Sequence, residues 1–244
     1  MVNVHIHQFQ PGRAVVDAAA LEQFQRQWAT YQKLVDADEL SHKVVGLLLH
    51  DALGQSFAAP FSFLDIACGD ASQIRALADT KLRHYHGVDL SEPALKLAAN
   101  NLKDMPFEIE LDHRDFVEAV TRRPEPADVS WCSLSIHHLD TAAKLRLMRA
   151  LKDSTSTFLM LYEPTRKDGE TRDQYLQRFR SVNRPRWTML TPDEWAQIDH
   201  HVTTSDFPET QGGWLDLGRQ AGFVSARELF QDPTGFYRVF RYDI

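Results

Sequence analysis

From residue 61 onward the chain alternates short apolar runs with stretches whose apolar residues recur at helical spacing. The runs are FSFLDIA (61–67), YHGVDL (85–90), FEIEL (107–111), ADVSWCSL (127–134) and STFLMLYE (156–163). Helical patterns over 71–79, 92–103, 115–121 and 140–152 separate them. Strands that are apolar on both faces, joined by helices of about ten residues, predict an α/β fold with a mostly parallel sheet covered on both sides. Right-handed crossovers then bring the C-terminal ends of all five strands to one edge.

Two further helices are predicted ahead of this core, over 17–36 and 39–54, with Leu21, Phe24, Trp28, Tyr31 and Leu34–Val35 at near-helical spacing. After the fifth run come a charged helix near 170–182 and a helix opened by Thr191-Pro192-Asp193-Glu194 as N-cap, N1 proline and acidic first turn. Another helix is predicted near 212–221. FVSARELFQ (223–231) and GFYRVFRYDI (235–244) flank the turn-rich Asp232-Pro233-Thr234-Gly235 and read as an antiparallel hairpin. The expected organisation is a single domain over 1–244: an N-terminal helical cap (1–56), a core (60–164), a helical insertion (165–222) and the hairpin (223–244).

Charge narrows the partners. With 27 Lys+Arg against 34 Asp+Glu the formal net charge is −7, the opposite of the basic footprint that phosphate-backbone binding requires. Arg122, Arg123, Arg178, Arg180, Arg184 and Arg186 are the candidates for a local basic patch, and read first as a solvated face. Cys68 and Cys132 cannot form a disulfide framework for a chain of this size, which makes a reducing cytoplasm the expected compartment. The N-terminus MVNVHIHQFQPG lacks a basic stretch followed by an apolar one, and nothing approaches the roughly 18 apolar residues of a membrane span. A soluble protein without nucleic-acid or membrane partners is expected; oligomeric state is left open.

Candidate chemistry lies at the strand ends. The first core strand runs through Asp65-Ile66-Ala67-Cys68-Gly69-Asp70-Ala71 into a helical segment, a turn that lets a ligand approach backbone N–H groups beside a carboxylate. Asp89, in Gly87-Val88-Asp89-Leu90, follows Gly69 by 20 residues, the spacing at which an acid can accept from both ribose hydroxyls of an adenosine ligand.

At these residues the chain resembles the class I S-adenosylmethionine-dependent methyltransferases, whose first motif is written D/E-x-G-x-G-x-G and here reads D-I-A-C-G-D-A. Ala67 and Ala71 replace the outer glycines. The resemblance implies the Rossmann-like methyltransferase fold, a seven-stranded sheet ending in an antiparallel hairpin, with S-adenosylmethionine as cofactor and S-adenosylhomocysteine as product. It implies that Asp65 faces the methionine amino group, Ala67, Cys68, Gly69 and Asp70 line it, and Asp89 grips the ribose. Leu90, Ser133 and Leu134 would stand beside the cofactor. His113-Arg114-Asp115-Phe116 looks like the adenine-binding position, with Asp115 meeting the adenine amine and Phe116 beside the ring. Ser135-Ile136-His137-His138-Leu139 is similar to the fourth-strand segment of small-molecule methyltransferases.

Each reading has a plainer rival. Asp115 also suits the N-cap of the helix after it. His137 and His138 are candidate general bases, because imidazole titrates near neutrality, but they can equally be structural. Glu163 reaches the same edge and can orient an acceptor amine or hydroxyl, or be a solvated turn residue before Pro164. Trp28, Tyr31, Tyr175, Phe179 and Trp187 read first as core, with Tyr31 the foremost candidate for a lid contact on the cofactor. His200, His201 and Asp206 invite a metal reading, yet neighbours on a helix point about 100° apart and no second ligand pair follows, so no metal is expected. The function expected is methyl transfer to an O, N, S or C nucleophile of a small-molecule acceptor. The alternatives are a noncatalytic S-adenosylmethionine or nucleotide sensor on the same fold and, further off, a nucleic-acid or protein methyltransferase.

Overall fold

A computed structural model describes residues 4–7, 28–121 and 125–244. The predicted cap helix before residue 28, with Leu21 and Phe24, and the Arg122-Arg123 pair lie outside the described residues.

The five apolar runs form β2 (Phe61–Ile66), β3 (Leu82–Asp89), β4 (Glu108–His113), β5 (Ala127–Ser133) and β6 (Thr155–Arg166), and the terminal pair forms β8 (Ser225–Gln231) and β9 (Tyr237–Asp243). These seven strands are ordered β4-β3-β2-β5-β6-β9-β8, with β2 to β6 parallel and β9 antiparallel between β6 and β8. Two strands were not expected. The alternating Val4-His5-Ile6-His7 forms β1 (Val4–His7), which pairs parallel with β4 and gives that strand an outer neighbour, so the segment 1–56 is not helical throughout. The two-residue β7 (Glu209–Thr210) extends the far end of β6.

Alternate residues of each inner strand feed opposite cores. Phe158, Met160 and Tyr162 of β6 enter one cluster with Phe63, Tyr85 and Trp131, whereas Leu159 and Leu161 enter the other with Leu64, Ile66, Val88 and Cys132. Helices α1 (His42–Ser56), α2 (Glu92–Leu102) and α5 (Arg172–Arg186) supply the first layer. Helices α3 (Phe116–Thr121), α4 (Thr141–Asp153) and α7 (Gln211–Ala221) supply the second. Helix α6 (Pro192–Ser205) packs with α5 beyond the strand ends, and Thr191 opens it with a capping box closed by Glu194, as its sequence predicts.

The segment predicted as a helix over 71–79 is instead a 3-10 helix, Ser72–Leu77, because it has room for little more than a turn. It starts directly after a left-handed Ala71 and stops where Thr80 N and Oγ1 both capture the Leu77 carbonyl. Three of the arginines expected as a patch are committed to acids: Arg178 to Glu170 at 2.7 Å, Arg180 to Asp199 at 2.6 Å and Arg186 to Glu39 at 2.9 Å. Among the described residues no helix is long and apolar enough to cross a membrane.

Helix α7 lies unusually close to β9. A Cβ on Gly218 would stand 2.3 Å from Tyr242 Cδ1, and that ring is fully buried and cannot retreat. Gly218→Ala is expected to lower stability by about 1–3 kcal/mol in urea unfolding despite alanine's better helix propensity.

Candidate functional site

Strand order reverses between β2 and β5, so the loops leaving these strands diverge and open a crevice at their C-terminal ends. The turn leaving β2 alternates in hand: Ala67 (φ 55), Gly69 (φ 56) and Ala71 (φ 50) are all left-handed. These are the three positions where the resembling motif carries glycine. The sequence therefore keeps the turn at both substituted positions, at a cost of about 1 kcal/mol for each alanine. Leu134, after β5, is left-handed as well (φ 53), its N–H held by the Tyr162 carbonyl at 2.8 Å. Strained backbone thus stands on both sides of the crevice.

A cavity of about 250 Å³ fills it, lined among others by Tyr31, Asp65, Ala67, Cys68, Gly69, Asp70, Asp89, Ser133 and Leu134, with Trp28, Trp131 and Ser135 also on its wall. Nine of the twelve residues assigned to the cofactor from sequence therefore meet in one place. Burial pushes the Asp65 carboxyl up to about 8, although the Tyr85 hydroxyl, donating at 2.8 Å, opposes the shift and Asp89 adds to it. Gly87 makes room for that tyrosine, since a Cβ there would stand 2.9 Å from the Tyr85 hydroxyl and from Cys68 Sγ. Asp89 accepts from Gly69 N at 2.9 Å on one oxygen and from Ser91 N at 2.7 Å on the other, which ties the two strand-end loops together. Burial, followed by the two neighbouring carboxylates, pushes the Cys68 thiol far up, so it is no nucleophile.

Leu90, Asp115 and Phe116 lie outside this lining. Leu90 is 61% exposed, and its carbonyl takes His113 Nε2 at 2.9 Å, which places the β3 and β4 loops side by side at the rim. Asp115 caps α3 through Oδ1 alone, accepting from Val117 N at 2.9 Å and Glu118 N at 3.2 Å.

A second cavity, of about 470 Å³, adjoins the first through shared Trp28, Tyr31, Leu134 and Ser135. Its walls combine aromatic and aliphatic side chains: Tyr175, Phe179 and Trp187 face it while also packing as core, joined by Tyr237, Leu34, Leu40 and Val202. His137, His138, His201 and Asp206 form its polar end. Glu163 lines neither cavity. It is fully buried, neither a solvated turn residue nor one that reaches an acceptor. Its carboxylate accepts from Ser135 N at 3.1 Å, Ile136 N at 2.9 Å, His137 N at 3.3 Å and His137 Nδ1 at 2.6 Å. It is thus a positioning residue for the 3-10 turn Ile136–His138. Burial pulls the His137 imidazole down, but Glu163 and Asp206 on its two sides prevail and raise it to about 9. Both carboxylates thus favour the charged form of this imidazole. His138, half exposed, keeps its place on the cavity wall.

Residues 28–36 form a helix that covers both cavities, with the Trp28 ring seated over Gly69. The Tyr31 hydroxyl shares a 2.9 Å bond with His42 Nε2, while His42 Nδ1 accepts from Gln73 Nε2 at 2.7 Å. Burial holds His42 down at about 4 against the opposing Asp38 charge, so this link is a neutral one. Lys33 to Glu194 at 2.7 Å and Arg186 to Glu39 join the cap to the α5–α6 insertion.

Sequence reasoning missed Trp131 and Ser135 as site residues, read Trp28 first as core, and attached Asp206 only to His200 and His201. The contact of Asp206 with His137 and His138 is tertiary, between segments nearly 70 residues apart; the signal present was the abundance of histidine in both.

Ala67→Gly is expected to stabilise the chain by about 0.5–1 kcal/mol in denaturant unfolding, because it relieves a left-handed alanine. Asp65 gives a pH signature. Between the ordinary carboxylate value and about 8 the folded state holds a proton that the unfolded state lacks. That stabilising contribution is full at low pH and is lost as pH rises through about 8. Thermal melts of Asp65→Asn should therefore gain on the native chain as pH rises from about 5 to about 8, with the His42 contribution common to both.

Residues 63–156 match the family model described as "Methyltransferase domain". No curated protein matches the sequence. Among solved structures, the pyocyanin biosynthetic protein PhzM is 18% identical with a TM-score of 0.54, over 80% of this chain and 54% of its own. This chain thus spans about half the length of that protein. A magnesium protoporphyrin IX methyltransferase from Synechocystis, solved with bound SAM, is 15% identical with a TM-score of 0.53, over 95% of this chain and 86% of that one. The apo form of the S-adenosylmethionine-dependent methyltransferase SibL is 18% identical with a TM-score of 0.58, over 96% and 63%. Residues 63–156 thus match a methyltransferase domain, and the strand order with its antiparallel hairpin gives the chain the Rossmann-like fold that these structures share.

Proposed function

We propose that the protein transfers a methyl group from S-adenosylmethionine to a small, flat, largely apolar acceptor bearing one nucleophilic atom. The observation that carries this reading is the pair of adjoining cavities: one lined by acids and left-handed backbone, the other walled by aromatic rings, with Trp28, Tyr31, Leu134 and Ser135 common to both.

The donor set suits the cofactor. Asp65 offers a buried carboxyl to an ammonium group. Each Asp89 oxygen, already accepting one backbone N–H, keeps a second lone pair for a ribose hydroxyl. Asp115 spends only Oδ1 on its cap, which leaves Oδ2 for an adenine amine, so both roles weighed from sequence are compatible. When bound, the cofactor supplies an electrophilic methyl group on its sulfonium. The protein's contribution is then mostly placement: the shared wall sets the line of approach, and orientation of this kind is worth up to about 7–11 kcal/mol. Trp28 and Tyr31 exclude water from that passage. The aromatic walls favour a planar acceptor by stacking and burial. With Nδ1 committed to Glu163 and Nε2 turned to Asp206, His137 is given no proton-abstracting step in this scheme.

Calorimetry with S-adenosylmethionine and S-adenosylhomocysteine should show binding to the native chain and its collapse, by at least about 100-fold, in Asp89→Ala. Failure of the native chain to bind either ligand would overturn the reading. In buffers of differing ionisation enthalpy, binding at neutral pH should also expel nearly one proton, because the ligand's ammonium ionises a carboxyl raised to about 8, and Asp65→Asn should abolish that release.

A further inference from the structure

The polar end of the aromatic cavity carries a second chemistry. Asp206 is 6% exposed, and its Oδ1 is buried with no hydrogen-bond partner. Three imidazole nitrogens stand around that oxygen: His138 Nδ1 at 3.4 Å, His137 Nε2 at 3.5 Å and His201 Nε2 at 3.8 Å. These distances are too long for hydrogen bonds. They are close to the separation of roughly 3.3 Å that nitrogen and oxygen donors adopt around one tetrahedral ion with bonds of about 2.0–2.1 Å. The donor atoms of His137, His138 and Asp206 all lie within 4.8 Å of one another.

We propose that His137, His138 and Asp206, with His201 at the margin, bind a divalent first-row transition-metal ion of the Zn²⁺ or Fe²⁺ class, with an open position facing the acceptor cavity. The surroundings are those of a built site. His137 directs Nδ1 to the buried Glu163 carboxylate at 2.6 Å, which fixes the ring and leaves Nε2 toward Asp206, the carboxylate–histidine arrangement that orients metal-ligating imidazoles. The Asp206 loop is pinned from several sides: Phe207 N donates to the His137 carbonyl at 2.9 Å, Arg172 Nε to the Asp206 carbonyl at 2.9 Å, and the buried Lys144 ammonium to the Phe207 carbonyl. Imidazole with one carboxylate is a donor set for Zn²⁺ or Fe²⁺ and a poor one for Mg²⁺ or Ca²⁺. At His137 Nε2 a proton and a metal ion are mutually exclusive occupants. His138 Nδ1 also lies 3.2 Å from the Ser205 carbonyl and must give up that contact to ligate. The pair absent downstream of His200-His201 in the sequence is supplied from upstream, by His137-His138. All four side chains line the aromatic cavity, so the open position would receive an oxygen or nitrogen of the acceptor; this last clause rests on the proposed methyl transfer, whereas the metal site does not.

The test is metal binding by the full chain without S-adenosylmethionine. Chelator-treated protein is titrated with Zn²⁺, Co²⁺ and Mg²⁺, and bound metal is counted by elemental analysis. One equivalent of Zn²⁺ or Co²⁺ and no Mg²⁺ is expected, with visible d–d absorption from the Co²⁺ form that shifts on adding azide. Asp206→Asn and the half-exposed His201→Ala should each weaken binding by about tenfold or more, while the exposed neighbour His200→Ala leaves it unchanged. Circular dichroism and thermal melts establish that the variants fold. Absence of tight binding in the native chain, or binding indifferent to both substitutions, overturns the site; Co²⁺ bands unmoved by azide overturn the open position. Loss of this site leaves S-adenosylmethionine binding intact, so the two readings fail separately.

Discussion

The interior carboxylate of Glu163 is the constraint around which the polar end of the second cavity is organised. A carboxylate removed from water must find donors within the protein or destabilise the fold by several kcal/mol. Here three successive backbone amides, from Ser135 to His137, and one imidazole N–H converge on it. Convergence on one side chain forces the chain after β5 into a tight 3-10 turn and fixes the His137 ring. That ring then faces Asp206, and through Asp206 the loop after α6 is drawn over the strand edge. A single residue at the end of β6 thereby sets the position of a segment more than 40 residues further on.

The cofactor side is governed by backbone conformation instead. Alternating left-handed residues at 67, 69 and 71 bring main-chain groups to the cavity surface, and Asp89 locks that turn to the neighbouring loop. Side-chain identity matters less at these positions than hand, which explains how two alanines can stand where glycine is usual. The two halves of the site meet at Leu134, whose own left-handed conformation turns the chain from one cavity wall into the other.

Much of this architecture was legible in the sequence because periodicity and strand-end chemistry are local. The parallel core, its helices, the Thr191 cap and the terminal hairpin all follow from patterns within windows of about 15 residues. So do the acids Asp65 and Asp89, which stand at the ends of apolar runs. What could not be read is what depends on distant segments meeting. Glu163 before Pro164 looked like a turn residue because nothing local reveals that four donors converge on it. Asp206 looked like a neighbour of His200 and His201 alone. The strand at Val4–His7 has a clear alternation, but its value depends on β4 lacking an outer neighbour, a topological fact. The aromatic residues of the cap and insertion are both core and cavity wall, a distinction that periodicity does not draw.

The cap over the two cavities is held by core packing of Leu34 and Leu40 and by a few polar ties of different character. Lys33–Glu194 and Arg186–Glu39 join cap to insertion across partly exposed ion pairs, each worth no more than about 1 kcal/mol and weakened by salt. The Tyr31–His42 bond is neutral and retains its strength as ionic strength changes. The cap thus has ion-sensitive contacts on the insertion side and an ion-indifferent one near the glycine turn. Rising ionic strength will therefore loosen the two charged ties between cap and insertion while the neutral bond and the core-buried Leu34 and Leu40 keep the cap's inner side seated, so the two ends of one short segment answer to salt differently.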